Sequence, residues 1–228
     1  MQRFRLPPRH SLLEGFRTLI FPDICIMCQG KEGKICGNCN RMWNETPARV
    51  IFQDVPTFST VAYSPQVSSV VLKAKEERNV IAQQLLAKAL HGSITAVINS
   101  ERISKFLVVP IPSSPSALRK RGESFLHPIL NQVILINSYG YENWKWQEML
   151  RHRKKVRDQA GLNSRQRKEN LAGVFQLRNA HSTSLPIILV DDVITTGSTL
   201  RNAFLALNER KMTVLGAATA CASPHQFP

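Results

Sequence analysis

Acidic residues are scarce in this chain: 30 Lys and Arg stand against 16 Asp and Glu among 228 residues, a formal net charge of +14. That surplus points to phosphate-rich partners such as nucleic acid, polyphosphorylated small molecules or anionic lipid, although a basic surface kept for solubility has the same composition. Long apolar runs are also lacking. None approaches the roughly 20 residues that a membrane-spanning helix needs. Residues 1–22 carry Arg3, Arg5, Arg9 and Arg17 among their apolar positions and have no continuous apolar stretch of the kind found in a secretory signal. A cytoplasmic protein is therefore expected. Aromatics are only 7%, which is little for a surface that would stack single-stranded bases. No Gly-Lys pair stands where a Walker A phosphate loop requires it. Hydrophobic residues make up 43%, enough for a packed core, and the length allows one or two domains.

The most informative stretch is Ile187-Ile188-Leu189-Val190-Asp191-Asp192-Val193-Ile194-Thr195-Thr196-Gly197-Ser198-Thr199-Leu200. Four apolar residues, three of them β-branched, read as a strand buried on both faces, as in a parallel sheet. The strand is expected to end at the two carboxylates. Leu200, Phe204 and Leu207 then recur at helical spacing. Gly197 allows a tight turn and close approach of the backbone to a ligand. Ser198 or Thr199 is expected to cap the helix, whose first free N–H groups make an anion site. Thr195, Thr196, Ser198 and Thr199 add hydroxyl donors. Asp191 and Asp192 would repel a phosphate held there unless they bind something else, and sugar hydroxyls or a divalent cation are the natural candidates. In open α/β sheets such sites lie beyond the carboxyl ends of the strands.

A second anion site is expected after the apolar strand from Phe106 to Pro112. There a Pro-Ser-Ser-Pro loop containing Ser113 and Ser114 precedes Arg119-Lys120-Arg121-Gly122. The densest basic run, Arg151-His152-Arg153-Lys154-Lys155-Val156-Arg157, reads either as a solvated loop or as a lid over a polyanion, of the kind an enzyme needs to exclude water from a reactive sugar cation. From Val67 the chain reads as helical, with Val70, Val71, Ala74, Ile81, Leu85 and Leu90 on or near one face. Lys73, Lys75 and Arg78 project from this helix or its break, and a solvated face is the favoured reading for them. Helical signals run again from Leu126 to Ile136, with Pro128 tolerable in the first turn.

Cys25-Ile26-Met27-Cys28 and Cys36-Gly37-Asn38-Cys39 form two Cys-x-x-Cys knuckles. Four thiolates from two such turns can surround a tetrahedral metal, zinc being the usual occupant, in a closed and therefore structural site. Two disulfides are the competing reading, which a cytoplasmic setting and the paired knuckles disfavour. Cys221 falls in an apolar strand from Thr213 to Ala220 and is expected to be a buried, inert thiol. Residues 11–20 carry a helical apolar stripe. Short strands are expected near Val50–Phe52, at Thr60–Tyr63, from Trp144 toward Leu150 and at Val174–Leu177. The last few residues are expected to be disordered. Together these give an α/β fold, a mostly parallel sheet flanked by helices, with a small N-terminal zinc module over residues 1–46 and the sheet domain over residues 47–228.

The stretch from the apolar strand through Asp191-Asp192 to Thr195-Thr196-Gly197-Ser198-Thr199 resembles the phosphoribosyl-pyrophosphate (PRPP) motif of type I phosphoribosyltransferases. The resemblance implies that the two acids hold the ribose 2′- and 3′-hydroxyls and that residues 195–199 hold the 5′-phosphate. With the four-cysteine knuckle, Val109-Pro110-Ile111-Pro112, Arg121-Gly122, Gln159-Ala160-Gly161-Leu162 and Arg167…Asn170…Gly173-Val174-Phe175, nearly the whole chain resembles the ComF family of competence-associated proteins. Members are phosphoribosyltransferase-like, and some are implicated in handling single-stranded DNA during natural transformation. The family usually continues Arg-Gly with an apolar residue, Asn and Gln, whereas here Glu123-Ser124-Phe125 follow Arg121-Gly122.

The resemblance implies an enzyme that takes PRPP in its magnesium complex and transfers the phosphoribosyl group to an acceptor the sequence does not identify. Asp191 and Asp192 would orient the ribose and favour the developing positive charge at C1. Ser113, Ser114, Arg119 and Arg121, with Arg153, Lys154 or Arg157 from the lid, would hold the departing pyrophosphate. A different class of reading is a binding protein. Its PRPP pocket would be a sensor or relic, and its basic surface, zinc module, Trp43, Trp144 and Trp146 would engage single-stranded DNA or uptake proteins. Two tryptophans at alternate strand positions equally suit a core, and that is the favoured reading for Trp144 and Trp146.

Overall fold

The computed structural model describes residues 23–137, 144–153, 173–178 and 183–228. Helix α1 (Gly37–Met42) and the short strand β1 (Ala48–Arg49) lead to β2 (Thr57–Ala62), followed by helices α2 (Pro65–Glu76) and α3 (Val80–Glu101). Next come β3 (Leu107–Pro110), α4 (Pro115–Arg121) and α5 (Leu126–Asn137), then the strands β4 (Leu150–His152) and β5 (Phe175–Leu177). The chain closes with β6 (Ile187–Ile194), α6 (Ser198–Asn208), β7 (Val214–Ala222) and a 3-10 turn at Pro224–Gln226. The main sheet has the order β1-β2-β7-β6-β3. Its pairings are parallel except β1 with β2. β4 and β5 form a separate antiparallel ribbon. The architecture is thus the expected one: a mostly parallel sheet flanked by helices, with four cysteines gathered near its N-terminal end.

Strand alternation divides the core between two faces of the sheet. Val108, Ile188, Val190, Ala218 and Ala220 pack with α2, α3 and α5, whereas Val109, Ile187, Leu189 and Ala217 pack with α6 and the β4–β5 ribbon. Cys25, Met27, Cys36 and Trp43 join the first of these clusters. No helix among the described residues is long and apolar enough to cross a membrane.

Local chemistry explains several departures from the expected elements. The helical pattern after Val67 divides into two helices because Arg78 takes a left-handed backbone (φ 52°) and the Asn79 side chain caps α3, accepting from Ala82 N at 3.0 Å. The first edge strand sits at Ala48–Arg49, before the expected Val50–Phe52: Val50 N still bonds Thr57 O, but Ile51 N turns away to Gln226 O. β6 does not stop at the acids. Asp191 pairs with Thr219, and Val193 and Ile194 pair with Cys221 and Ala222, so the carboxylates lie within the strand. The strand expected from Trp144 begins only at Leu150, with Trp146 making one isolated bridge to Val108. The C-terminal residues are ordered: Ser223 N bonds Ile194 O at 2.8 Å and Gln226 Nε2 bonds Thr195 O at 2.6 Å. The helix expected at residues 11–20 lies outside the described residues, as do Gln159 to Leu162 and Arg165 to Asn170.

Candidate active site

β3 and β6 are parallel neighbours, with Pro110 beside Val190, so their carboxyl ends open side by side. Beyond them lies a cavity of about 320 Å³. Asp191 and Asp192 line it from β6, Ser113 and Ser114 from the loop after β3, Arg121 from the end of α4, and Thr199 from the start of α6. Residues from both expected anion sites and the acidic pair therefore share one cavity.

Asp192 is buried (9% exposed) and Asp191 half-buried. Packing around Asp191, then the charge of the adjacent Asp192, pushes its carboxyl well above the ordinary carboxylate range. The Asp192 N–H, 2.9 Å from Asp191 Oδ1, and the Lys75 ammonium act in the opposite sense. Lys75 reaches from the last turn of α2 to place Nζ 2.6 Å from Asp192 Oδ2, and the same ammonium lies 5.1 Å from the Phe125 ring centroid. Sequence reasoning left Lys75 on a solvated face. The available signal was its place next to Ala74 on the buried stripe Val67, Val70, Val71 and Ala74. Lys73 lies 3.9 Å from Glu77 instead.

The loop after β3 is built by its serines. Ser114 caps α4, accepting from Ala117 N at 3.2 Å, and Ser113 Oγ lies 3.3 Å from the buried Ser124 Oγ. Arg121 places NH1 3.3 Å from Glu76, which also pairs with Lys120. Lys120, with Arg121, holds the Glu76 carboxyl below its ordinary value. Glu123, the acid that departs from the ComF pattern, pairs with Arg78 at 3.5 Å rather than facing the cavity. Arg119 is exposed and off the cavity wall. Arg153 donates to Phe175 O at 3.1 Å and lies 3.5 Å from Glu209, at the β4–β5 ribbon. Lys154 and Arg157 fall outside the described residues.

In the loop between β6 and α6, Thr195, Thr196 and Ser198 are exposed, and Thr196 Oγ1 lies 3.0 Å from Ser198 Oγ. The cap of α6 is not Ser198 or Thr199 but Gly197, with φ 74° and no side-chain cap bond of its own; Thr196 Oγ1 instead accepts from Ser198 N at 3.4 Å. A Cβ at Gly197 would lie 2.8 Å from Phe52 Cδ2. Gly197→Ala is therefore expected to cost about 1–3 kcal/mol, from a strained backbone and a displaced ring, read as a lower denaturation midpoint.

The four cysteines of the knuckles converge, with their sulfurs all within 4.8 Å of one another. Cys28 and Cys36 are 3.7 Å apart, close to the edge of about 3.8 Å in a tetrahedron with roughly 2.3 Å zinc–sulfur bonds. All five cysteines are free thiols, so the disulfide alternative is not realised, and Cys221 is buried as expected. Burial pushes the Cys25 thiol up, but the backbone N–H groups of Cys28, Cys36 and Met27 prevail and hold it at about 6. Cys39, by contrast, is pushed up by burial and by the neighbouring thiols. The donor set and its spacing fit a structural zinc ion.

Residues 147–227 match the family model of the phosphoribosyl transferase domain. No curated protein matches the chain. Solved structures with similarity include an adenine phosphoribosyltransferase from Saccharomyces cerevisiae, at 16% identity and a TM-score of 0.38, over 64% of this chain and 71% of that one. A hypoxanthine phosphoribosyltransferase from Staphylococcus aureus is similar at 15% identity and a TM-score of 0.33, over 62% and 65% of the respective chains. The family match spans β6, its acidic pair and β7, and supports a phosphoribosyltransferase-like fold for this chain.

Proposed function

We propose that this is a ComF-like phosphoribosyltransferase that takes PRPP with magnesium as substrate and carries a structural zinc ion on Cys25, Cys28, Cys36 and Cys39. The observation that carries the reading is the meeting of Asp191 and Asp192, the Ser113–Ser114 loop and Thr199 in one cavity at the carboxyl ends of adjacent parallel strands. The acids accept hydrogen bonds from the ribose diol. Residues 195–199, at the glycine-capped start of α6, receive the 5′-phosphate. Ser113, Ser114 and Arg121 face the pyrophosphate; Arg119, Arg153, Lys154 and Arg157 are further candidates for the same anion. The C1–oxygen bond to pyrophosphate breaks first, its electron pair leaving with pyrophosphate, and the acidic pair lowers the energy of the positive charge at C1 until the acceptor's lone pair bonds there and its proton passes to pyrophosphate or solvent. Nucleobases and amines are the acceptor classes to screen, in a cytoplasmic setting.

Pyrophosphate release from PRPP, followed against a panel of nucleobases and amines, tests the reading. Release with at least one acceptor, lost in the Asp191→Asn/Asp192→Asn protein, is expected; no release with any member of the panel contradicts it.

The charge of +14 favours a second reading, binding of single-stranded DNA in an uptake complex. Against a stacking platform, Trp43 and Trp144 are only 1% and 6% exposed, and Trp146 is half-buried with its ring 4.8 Å from that of His127. If DNA is bound, affinity falls steeply with salt, and neutralising residues 151–157 flattens that slope; a slope near zero removes this reading.

A further inference from the structure

Among the described residues, the cations on the cavity wall are Lys75 and Arg121, and each already faces a carboxylate. Adjacent residues of one helical turn arrange this. Lys75 takes Asp192 at 2.6 Å, while Glu76 takes Arg121 at 3.3 Å together with Lys120. The cavity is thus charge-matched within itself. A sugar diol approaching Asp192 competes with an ammonium. A polyphosphate approaching Lys75 competes with a carboxylate that is only 12% exposed. Either half of a ligand alone must weaken the pair and leaves one member poorly matched, which is costly at a part-buried site. A ligand carrying both halves satisfies both members. The lysine stem is long and flexible, so the ammonium can turn from Asp192 toward the serine loop while remaining beside the Phe125 ring.

We propose that Lys75 is an exchangeable counter-ion that makes the site selective for ligands bearing a vicinal diol and a polyphosphate together, its ammonium passing from Asp192 to the phosphate when such a ligand binds. This rests on the reading of the cavity as a PRPP site. It explains why a lysine stands against an acid otherwise needed for sugar hydroxyls, and it assigns to α2 a part in recognition that the motif residues do not cover.

The test is calorimetric titration of the intact protein and of Lys75→Met, Lys75→Arg and Asp192→Asn with three magnesium-containing probes: PRPP, ribose 5-phosphate and inorganic pyrophosphate. Asp192→Asn frees the ammonium, so it tightens pyrophosphate about 3- to 10-fold while weakening ribose 5-phosphate. Lys75→Met weakens PRPP on the order of 10- to 100-fold yet leaves ribose 5-phosphate at least as tight, and Lys75→Arg recovers part of the PRPP affinity. Opposite signs for the two ligand halves are not produced by a merely structural role. Either variant carries the test alone if the other does not fold. The inference is overturned if Asp192→Asn fails to tighten pyrophosphate, or if Lys75→Met weakens ribose 5-phosphate and PRPP alike while the intact protein binds PRPP. If the intact protein binds none of the three probes, the PRPP reading falls as well, and the inference with it.

Discussion

Replacing Cys36 with Ser, or stripping metal with a strong chelator, is expected to lower the thermal midpoint by roughly 10–20 °C. Cys25 and Cys36 are 0% and 5% exposed and sit in the same apolar cluster as Trp43, Val67 and Leu90. The cysteine segment is therefore part of the packing of the sheet. Trp43 depends on it directly, since its Nε1 donates to Met27 Sδ at 3.1 Å. Without a metal, sulfurs drawn within 4.8 Å of one another lose the ion that would offset their charge. Structural zinc in small modules contributes on the order of 10 kcal/mol. Losing even half of that from a domain of this size shifts the midpoint by the stated amount. Elemental analysis of the purified protein is expected to find stoichiometric zinc, and Cys221→Ala to leave that content unchanged because Cys221 lies in β7 and is not one of the four converging thiols. A metal-free protein with the same midpoint would contradict the assignment.

Asp191→Asn is expected to separate binding from stability. Its carboxyl is raised by packing and by Asp192, so the folded protein holds a proton there at pH values where the unfolded chain has released it. A group raised in this way stabilises the fold fully below its unfolded value, and that contribution is lost as pH rises through the raised folded value. At neutral pH Asp191 is therefore a cost to the fold. An Asn, which carries no charge beside Asp192, relieves it: the midpoint is expected to rise relative to the parent as pH increases. Affinity for PRPP moves the other way. Hydrogen bonds to charged groups contribute about 1.5–3 kcal/mol each, so the double substitution Asp191→Asn/Asp192→Asn weakens PRPP on the order of 10²-fold or more. Denaturation at several pH values beside a binding titration checks both. A single substitution that lowered the midpoint at every pH would show that the Asp191 carboxylate serves packing rather than a ligand.

The strand–loop–helix around the acids was legible because each part has a strong local signature. A strand covered on both faces shows as an unbroken apolar run at Ile187–Val190, and Gly197 marks a left-handed turn, here at φ 74°. The cysteine cluster was legible for the same reason, since two knuckles carry their geometry in their spacing. Where β6 ends was not legible. Asp191 and Asp192 look like strand terminators, but β7 offers Thr219 through Ala222 as backbone partners beyond them. The role of Lys75 depends on how α2 is rotated over the end of β6, a tertiary fact that leaves no mark beyond the lysine itself. The ordered C-terminus likewise rests on Gln226 finding the carbonyl of Thr195, 31 residues away in sequence. The helix break at Arg78 has neither Gly nor Pro, and its left-handed residue is held by contacts to Arg121 O and Glu123.

The central claim is that the cavity beyond β3 and β6 binds PRPP. Calorimetric titration of the zinc-loaded protein with PRPP, with and without magnesium, beside the Asp191→Asn/Asp192→Asn protein, tests it most directly. The account predicts saturable binding by the intact protein that is lost when both acids are replaced. Absence of binding by the intact protein, or binding that survives the loss of both acids, would contradict it.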